Sequence, residues 1–185
     1  MAVERKLMTA EELLRLPRDG KRYELIDGEL RTLAPAGWRH GPRAFWPAWH
    51  LGAHVRGNNL GECFAAETGF IFRRNPDHVR APDFAFISRD RWPSPPPESA
   101  YMPIPADLVL EVVSPGDSAT DVREKVEDWL AFGTRAVWVL YPVLRLDVFS
   151  PDGSMRSYGP DDMVDGGDVL PGFSMPLREL VGPGD

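Results

Sequence analysis

A carboxylate in the middle of an apolar run constrains this chain most. In Asp107-Leu108-Val109-Leu110-Glu111-Val112-Val113, branched and aliphatic side chains predict a strand buried in a sheet, with Glu111 carried into the interior. An ionised carboxyl without a partner costs several kcal/mol there, on the order of a domain's whole stability margin. Glu111 therefore needs a cation. The plain alternatives are a salt bridge to an Arg or Lys, or the solvent face of an edge strand. Downstream, Ala119 to Phe132 reads as a helix with Gly133 at its C′ position, and Ala136 to Tyr141 as another apolar strand.

The rest of the chain supplies strands, turns and two further helices. Thr9 followed by Glu12 is a capping box ahead of Leu13, Leu14 and Leu16, with Pro17 as the stop. Tyr23 to Ile26 and Glu29 to Leu33 flank Asp27-Gly28, a pair suited to a two-residue hairpin turn. His40 to Arg56 predicts a mostly buried helix, with Pro42 and Pro47 weakening its first half, and Asn58, Asn59 and Gly61 ending it. Short strands follow at Cys63 to Ala66, Phe70 to Arg73 and Asp83 to Ser88, with a turn at Asn75-Pro76-Asp77. The prolines between Asp90 and Pro105 predict a surface loop. Leu144 to Ser150 and Ser154 to Tyr158 predict a hairpin, and the tail is rich in Gly and Asp.

Composition narrows the classes. With 185 residues, 43% hydrophobic and 26% charged, the chain is expected to fold as one domain without disulfides. The net charge of −7 argues against a general nucleic-acid coat, so contact with DNA would need a local basic patch or a metal. No apolar run is long enough to span a membrane and no signal core opens the chain, which predicts a cytoplasmic protein. Cys63 is the single cysteine. His50 and His54 stand four apart on the predicted helix, but no acid lies between them, and they make a poor metal pair.

Two residues change the reading of Glu111. Asp83 opens the apolar run Asp83-Phe84-Ala85-Phe86-Ile87 behind Pro82. If that strand is the antiparallel neighbour of the Glu111 strand, the start of one lies beside the end of the other and the carboxylates meet. Lys125 falls three residues after Val122 and four before Trp129, on the apolar face of its helix. Its alternative is a stem that covers the core edge with its ammonium in water. Two acids and a sheet-facing lysine suit metal-assisted phosphodiester hydrolysis.

The segments Tyr23-Glu24-Leu25-Ile26-Asp27-Gly28-Glu29-Leu30, Arg80-Ala81-Pro82-Asp83, Asp107 through Pro115 and Asp121 through Lys125 resemble a restriction-endonuclease-like family expanded in cyanobacteria, within the PD-(D/E)XK nuclease superfamily. The resemblance runs from about Thr9 to Phe173, inside a single domain spanning 1–185. It implies an α/β (α+β) fold, a restriction-endonuclease-like mixed β-sheet core flanked by helices with additional hairpins. It also implies a Mg²⁺ site, with Mn²⁺ as a substitute, made by Asp83, Glu111 and the backbone carbonyl of Val112. Val113 stands where the simplest superfamily pattern has its lysine; in this family the lysine is placed on the following helix, where Lys125 matches. Glu24 matches an early family glutamate that reaches the metal through water. Its alternative is a strand acid paired with Arg22 or Arg31. His40 matches a family histidine, with a capping or structural role as the plainer reading, and Trp129 replaces a frequent tyrosine in what reads as a structural change.

The function implied is a Mg²⁺-dependent DNA endonuclease, with Asp83 and Glu111 as metal ligands, Lys125 activating or orienting water and Glu24 auxiliary. The alternative is a degenerate, non-catalytic nuclease-fold module for DNA or protein interaction. Arg73, Arg74 and Arg80 are candidates for the basic patch, with a solvated surface as the simpler account, and a homodimer is expected because two copies about a twofold axis most simply cut both strands.

Overall fold

Local chemistry decides where the first elements begin and turn. In the computed structural model, which describes residues 7–17, 19–92 and 100–183, Thr9 and Glu12 form the reciprocal capping box of α1 (Ala10–Leu14), burying Ala10 and Leu13. β1 (Arg22–Ile26) and β2 (Glu29–Leu33) pair antiparallel across Asp27 and Gly28, whose φ angles of 55° and 78° are the left-handed pair that this hairpin turn requires. α2 (His40–Gly57) follows as one continuous helix. Pro42 lies in its first turn, where the missing amide has no helical partner anyway, and Pro47 turns inward with Leu51 and Val55.

The remaining elements are β3 (Gly61–Ala65), β4 (Phe70–Arg73), β5 (His78–Arg80), β6 (Phe84–Ser88), β7 (Leu108–Val112), α3 (Ala119–Phe132), β8 (Ala136–Tyr141), β9 (Arg145–Phe149), β10 (Met155–Tyr158), β11 (Met163–Asp165), β12 (Ser174–Pro176) and α4 (Leu177–Leu180). The central sheet has six strands in the order β10-β9-β8-β7-β6-β3. Its one parallel pair, β7 with β8, is connected through α3, and its other pairs are antiparallel. This is the mixed sheet flanked by helices that the sequence predicts. A second sheet, β2-β1-β5-β4, packs with α1 around Leu25, Ile71 and Val79.

Alternation along β7 sends its two faces to different cores. Leu108, Leu110 and Val112 join Phe84, Phe86, Trp138 and Leu140 against α2, while Val109 joins Ala85, Ile87 and Val137 against Val126 and Trp129 of α3. Glu111 shares the parity of Val109 and so faces α3. The cap of α3 is a Ser118–Asp121 box, and Gly133 at φ 110° ends it.

Three segments differ from the sequence reading. β5 was not expected: His78-Val79-Arg80 is polar in sequence, yet all three residues are buried. The Gly- and Asp-rich tail, to which no element was assigned, forms β11, β12 and α4, and Val164, Leu170, Phe173, Leu177, Leu180 and Val181 complete the α2-side core. Of the proline-rich stretch, residues 93–99 lie outside the described residues; beside it, Arg89–Arg91 is a single 3₁₀ turn and Met102 bridges to Phe70. No helix among the described residues is long and apolar enough to cross a membrane.

Candidate active site

β6 and β7 are antiparallel neighbours with Phe84 opposite Leu110, so Asp83 reaches the carboxyl end of β7. Its amide donates to the Leu110 carbonyl at 3.1 Å, and its Oδ2 accepts the Val112 amide at 2.8 Å. Glu111 is 6% exposed. Its Oε2 accepts the Lys125 ammonium at 3.0 Å and its Oε1 accepts the Trp129 indole N–H at 2.8 Å. Lys125 and Trp129 stand one turn apart on the face of α3 turned to the sheet, the face predicted from spacing. The structure thus brings Asp83, Glu111 and Lys125 together, and they share a cleft of about 370 Å³ with Glu24, His40 and the Val112 backbone.

Electrostatics distinguish the members. Burial pushes the Glu111 carboxyl above the usual carboxylate range; the Lys125 charge and the Trp129 donor pull the other way, and the negative charges of Asp83 and Glu24 add to the rise. Lys125 is pushed well above its ordinary value, chiefly by the Glu111 carboxylate. The Glu111 carboxylate thus favours the charged form of Lys125, the form that donates and attracts. Burial alone would raise Asp83, yet the hydrogen bond and charge of His40, with the Val112 amide, hold it below the usual range.

His40, at the first position of α2, places Nε2 3.4 Å from Asp83 Oδ2. The hydrogen bond to Asp83 raises its pKa against the opposing effect of burial, and the Val112 carbonyl adds to the rise. The sequence reading left His40 between a family histidine and a capping or structural role; its Nε2 lies beside an Asp83 oxygen expected to bind metal. Trp129, read as a structural change, also touches the site. Its indole is a donor to Glu111 as well as a core side chain, and the signal was its i, i+4 spacing from Lys125. Trp129→Phe keeps most of the volume and removes that donor, so it is expected to cost about 1–3 kcal/mol, read by urea unfolding.

Glu24 is buried on β1, and its partner is neither Arg22 nor Arg31. Oε2 meets Arg80 Nη1 at 3.2 Å and Oε1 accepts the Ala81 amide at 3.2 Å. Arg80, itself 4% exposed, also holds Asp128 Oδ2 through Nε at 2.7 Å and Nη2 at 2.6 Å. The expected basic patch is therefore not present as such: Arg80 is interior, Arg73 pairs with Asp27, and Arg74 lies 2.7 Å from Glu11 and 3.0 Å from Asp77. Among the cations beside the cleft are Arg22, which lines it, and Arg31, opposite Glu24 on β2.

The acid just before β7 shows what a purely structural carboxylate looks like here. Asp107, fully buried, accepts from the Ser88 amide at 2.8 Å, Arg91 at 2.7 Å and Arg135 at 3.3 Å. It ties β6, β7 and the turn before β8 together and lies at the strand end away from the cleft.

The donor set fits Mg²⁺ in kind. A hard cation takes one or two carboxylates plus neutral oxygens and waters, and Asp83, Glu111 and the Val112 carbonyl are all oxygen donors. Among the described residues no group of three or more His, Cys, Asp and Glu side chains is arranged to hold a metal, as a zinc site would require. His54, of the pair His50 and His54, places its Nε2 2.9 Å from the Pro171 carbonyl.

No curated protein matches the chain. Among solved structures, one from Anabaena variabilis ATCC 29413, described as a "putative nuclease", superposes with a TM-score of 0.79 at 22% identity over 94% of this chain and 97% of its own. At that identity the likeness concerns the fold, which is shared almost end to end. The family described as "Putative restriction endonuclease" matches residues 10–178, from the first turn of α1 into α4, and the chain belongs to that family, Uma2.

Proposed function

We propose that this protein is a Mg²⁺-dependent DNA endonuclease that hydrolyses phosphodiester bonds, with Mn²⁺ able to replace Mg²⁺. The observation that carries the reading is the convergence of Asp83, Glu111 and the ammonium of Lys125 on one cleft at the ends of β6 and β7. The family's description and that of the Anabaena protein support a phosphodiester substrate. Asp83, Glu111 and the Val112 carbonyl would hold the ion. When bound, such a cation supplies an acidified water and positive charge against the phosphate.

The chain's own residues do the rest. Lys125 stays protonated, donates to the attacking water or a phosphate oxygen, and offsets the charge that builds during attack. Glu24, fixed by Arg80 and the Ala81 amide, is the auxiliary acid whose negative charge favours a cation in the cleft. Lys125→Met is expected to lower cleavage by roughly 10²-fold. It should also move the acid limb of the pH profile upward, because Glu111 then lacks the charge that opposes its burial and ionises only at higher pH. An unmoved acid limb would separate the lysine from the ionisation of Glu111.

One observation favours the alternative of a non-catalytic nuclease-fold module: both Glu111 oxygens already have partners, Lys125 and Trp129. The deciding experiment incubates plasmid and single-stranded DNA with the purified chain in Mg²⁺ or EDTA, beside the Asp83→Asn variant. Cleavage that needs both Mg²⁺ and Asp83 supports the endonuclease. Equal cleavage by both proteins assigns the activity to a contaminant, and DNA retention without cleavage points to the module. Cutting both strands of a duplex is most simply served by a homodimer about a twofold axis.

A further inference from the structure

α2 has an outward face that none of the described residues covers. Its inner side buries Pro47, Leu51 and Val55. On the outer side, Pro42, Phe45, Trp49, Ala53 and Arg56 are all exposed, at spacings of 3, 4, 4 and 3 residues, and Trp38 is exposed in the turn two residues ahead of the helix. That is the stripe with which one helix packs against another. Trp38 is 80% exposed, Phe45 56% and Trp49 59%, and the rings of Phe45 and Trp49 stack at 6.4 Å. No Asp, Glu, Lys or Arg occurs between Arg43 and Arg56.

The size of this patch calls for a partner. Three aromatic side chains open to this degree leave roughly 400 Å² of ring surface, about half of the ~800 Å² that each partner gives to a standard interface. Beside the ridge of Phe45 and Trp49 runs a groove of about 870 Å³ between α2 and the sheet-edge strand β3, with Gly52, Ala53 and Gly57 in its wall. A Cβ added at Gly52 or Gly57 would meet nothing within 4 Å, so the groove has room. Ridge and groove lie on the same face.

The order of the residues identifies the occupant. About Pro47 the exposed aromatic pair is symmetric: Phe45 and Trp49 stand two residues to either side, and Trp38 and Arg56 stand nine. A twofold axis at that level sets Phe45 against the partner's Trp49, and Trp38 against the partner's Arg56, each contact occurring twice, as an isologous interface requires. Aromatic rings pair well, and a guanidinium sits favourably on an indole face; Arg39 already lies 5.2 Å from the Trp38 ring centre.

We propose that a second copy of this chain docks here, its α2 antiparallel to the first about a twofold axis at the level of Pro47. The proposal gives a surface to the homodimer of the endonuclease reading but does not depend on catalysis, since assembly and cleavage are measured separately. Sedimentation velocity of the full chain should show twice the chain mass at micromolar concentration. Trp49→Glu, an exposed change that leaves circular dichroism unaltered, should weaken the dimer at least 100-fold, while Val143→Glu, also exposed but elsewhere, should not. Phe45→Lys should likewise dissociate the dimer, and Phe45→Lys combined with Trp49→Glu should restore it by pairing opposite charges across the axis. A wild-type monomer at ~100 μM, a Trp49→Glu dimer of unchanged affinity, or a double variant as monomeric as either single one overturns the proposal. A dimer without nuclease activity would sink only the catalytic reading.

Discussion

Asp83→Asn is expected to reduce metal-dependent cleavage by roughly 10³-fold, the upper end of what losing one electrostatic stabiliser costs, with little change in melting temperature. The substitution isolates charge from shape. An asparagine Oδ1 still accepts the Val112 amide, so the joint between β6 and β7 that this 2.8 Å bond makes is retained. What disappears is the anion that His40 and the cleft hold ionised. Alanine at the same position would remove both and confuse a lost fold contact with lost chemistry. Calorimetric Mg²⁺ titration of the same variant should show weakened binding; undiminished cleavage, with Mg²⁺ affinity intact, would remove Asp83 from the site.

Arg80→Met is expected to destabilise the protein by about 3–5 kcal/mol, the cost of leaving the buried Glu24 carboxylate without its cation. Glu24 is 3% exposed and loses its guanidinium, and Asp128 loses both of its bonds to Arg80 at once. For a chain of this length that corresponds to a fall of on the order of 10 °C in melting temperature. Replacing the three partners together by apolar residues of similar volume should recover most of the loss, because a buried ionic cluster is often no more stable than its hydrophobic equivalent. A cost below ~1 kcal/mol for the single change would mean that water reaches Glu24.

What the sequence made legible was whatever short-range pattern controls. The Thr9 box, the Asp27-Gly28 turn and the Gly133 stop act within a few residues, and each forms as read. Asp83 and Glu111 were legible together because both sit in strong apolar strands whose antiparallel pairing has few alternatives. Lys125 was legible from helix spacing. Partners far apart in the chain were not: nothing local says that Arg80 belongs to Glu24, fifty-six residues away, so it read as a surface cation. β5 was missed because His78 looks solvated in sequence, whereas its ring stacks on Phe72 at 5.2 Å. The tail was missed because its six core residues are scattered among glycines and aspartates without a period of 2 or 3.6.

Placing the ammonium on α3 rather than on β7 makes its position an angle instead of a distance along the chain. The Ser118 cap sets the zero of that angle, and every residue counted from it turns the side chain by about 100°. The linker from Ser114 to Asp117 can therefore lengthen or shorten among relatives without moving the charge, provided that the cap stays seated. One residue inserted between Ala119 and Glu124 would swing Lys125 out of the cleft while leaving the helix, its length and its composition nearly the same. A search for lysine at a fixed offset from the strand acid passes over such a site, and a search for its helical bearing finds it.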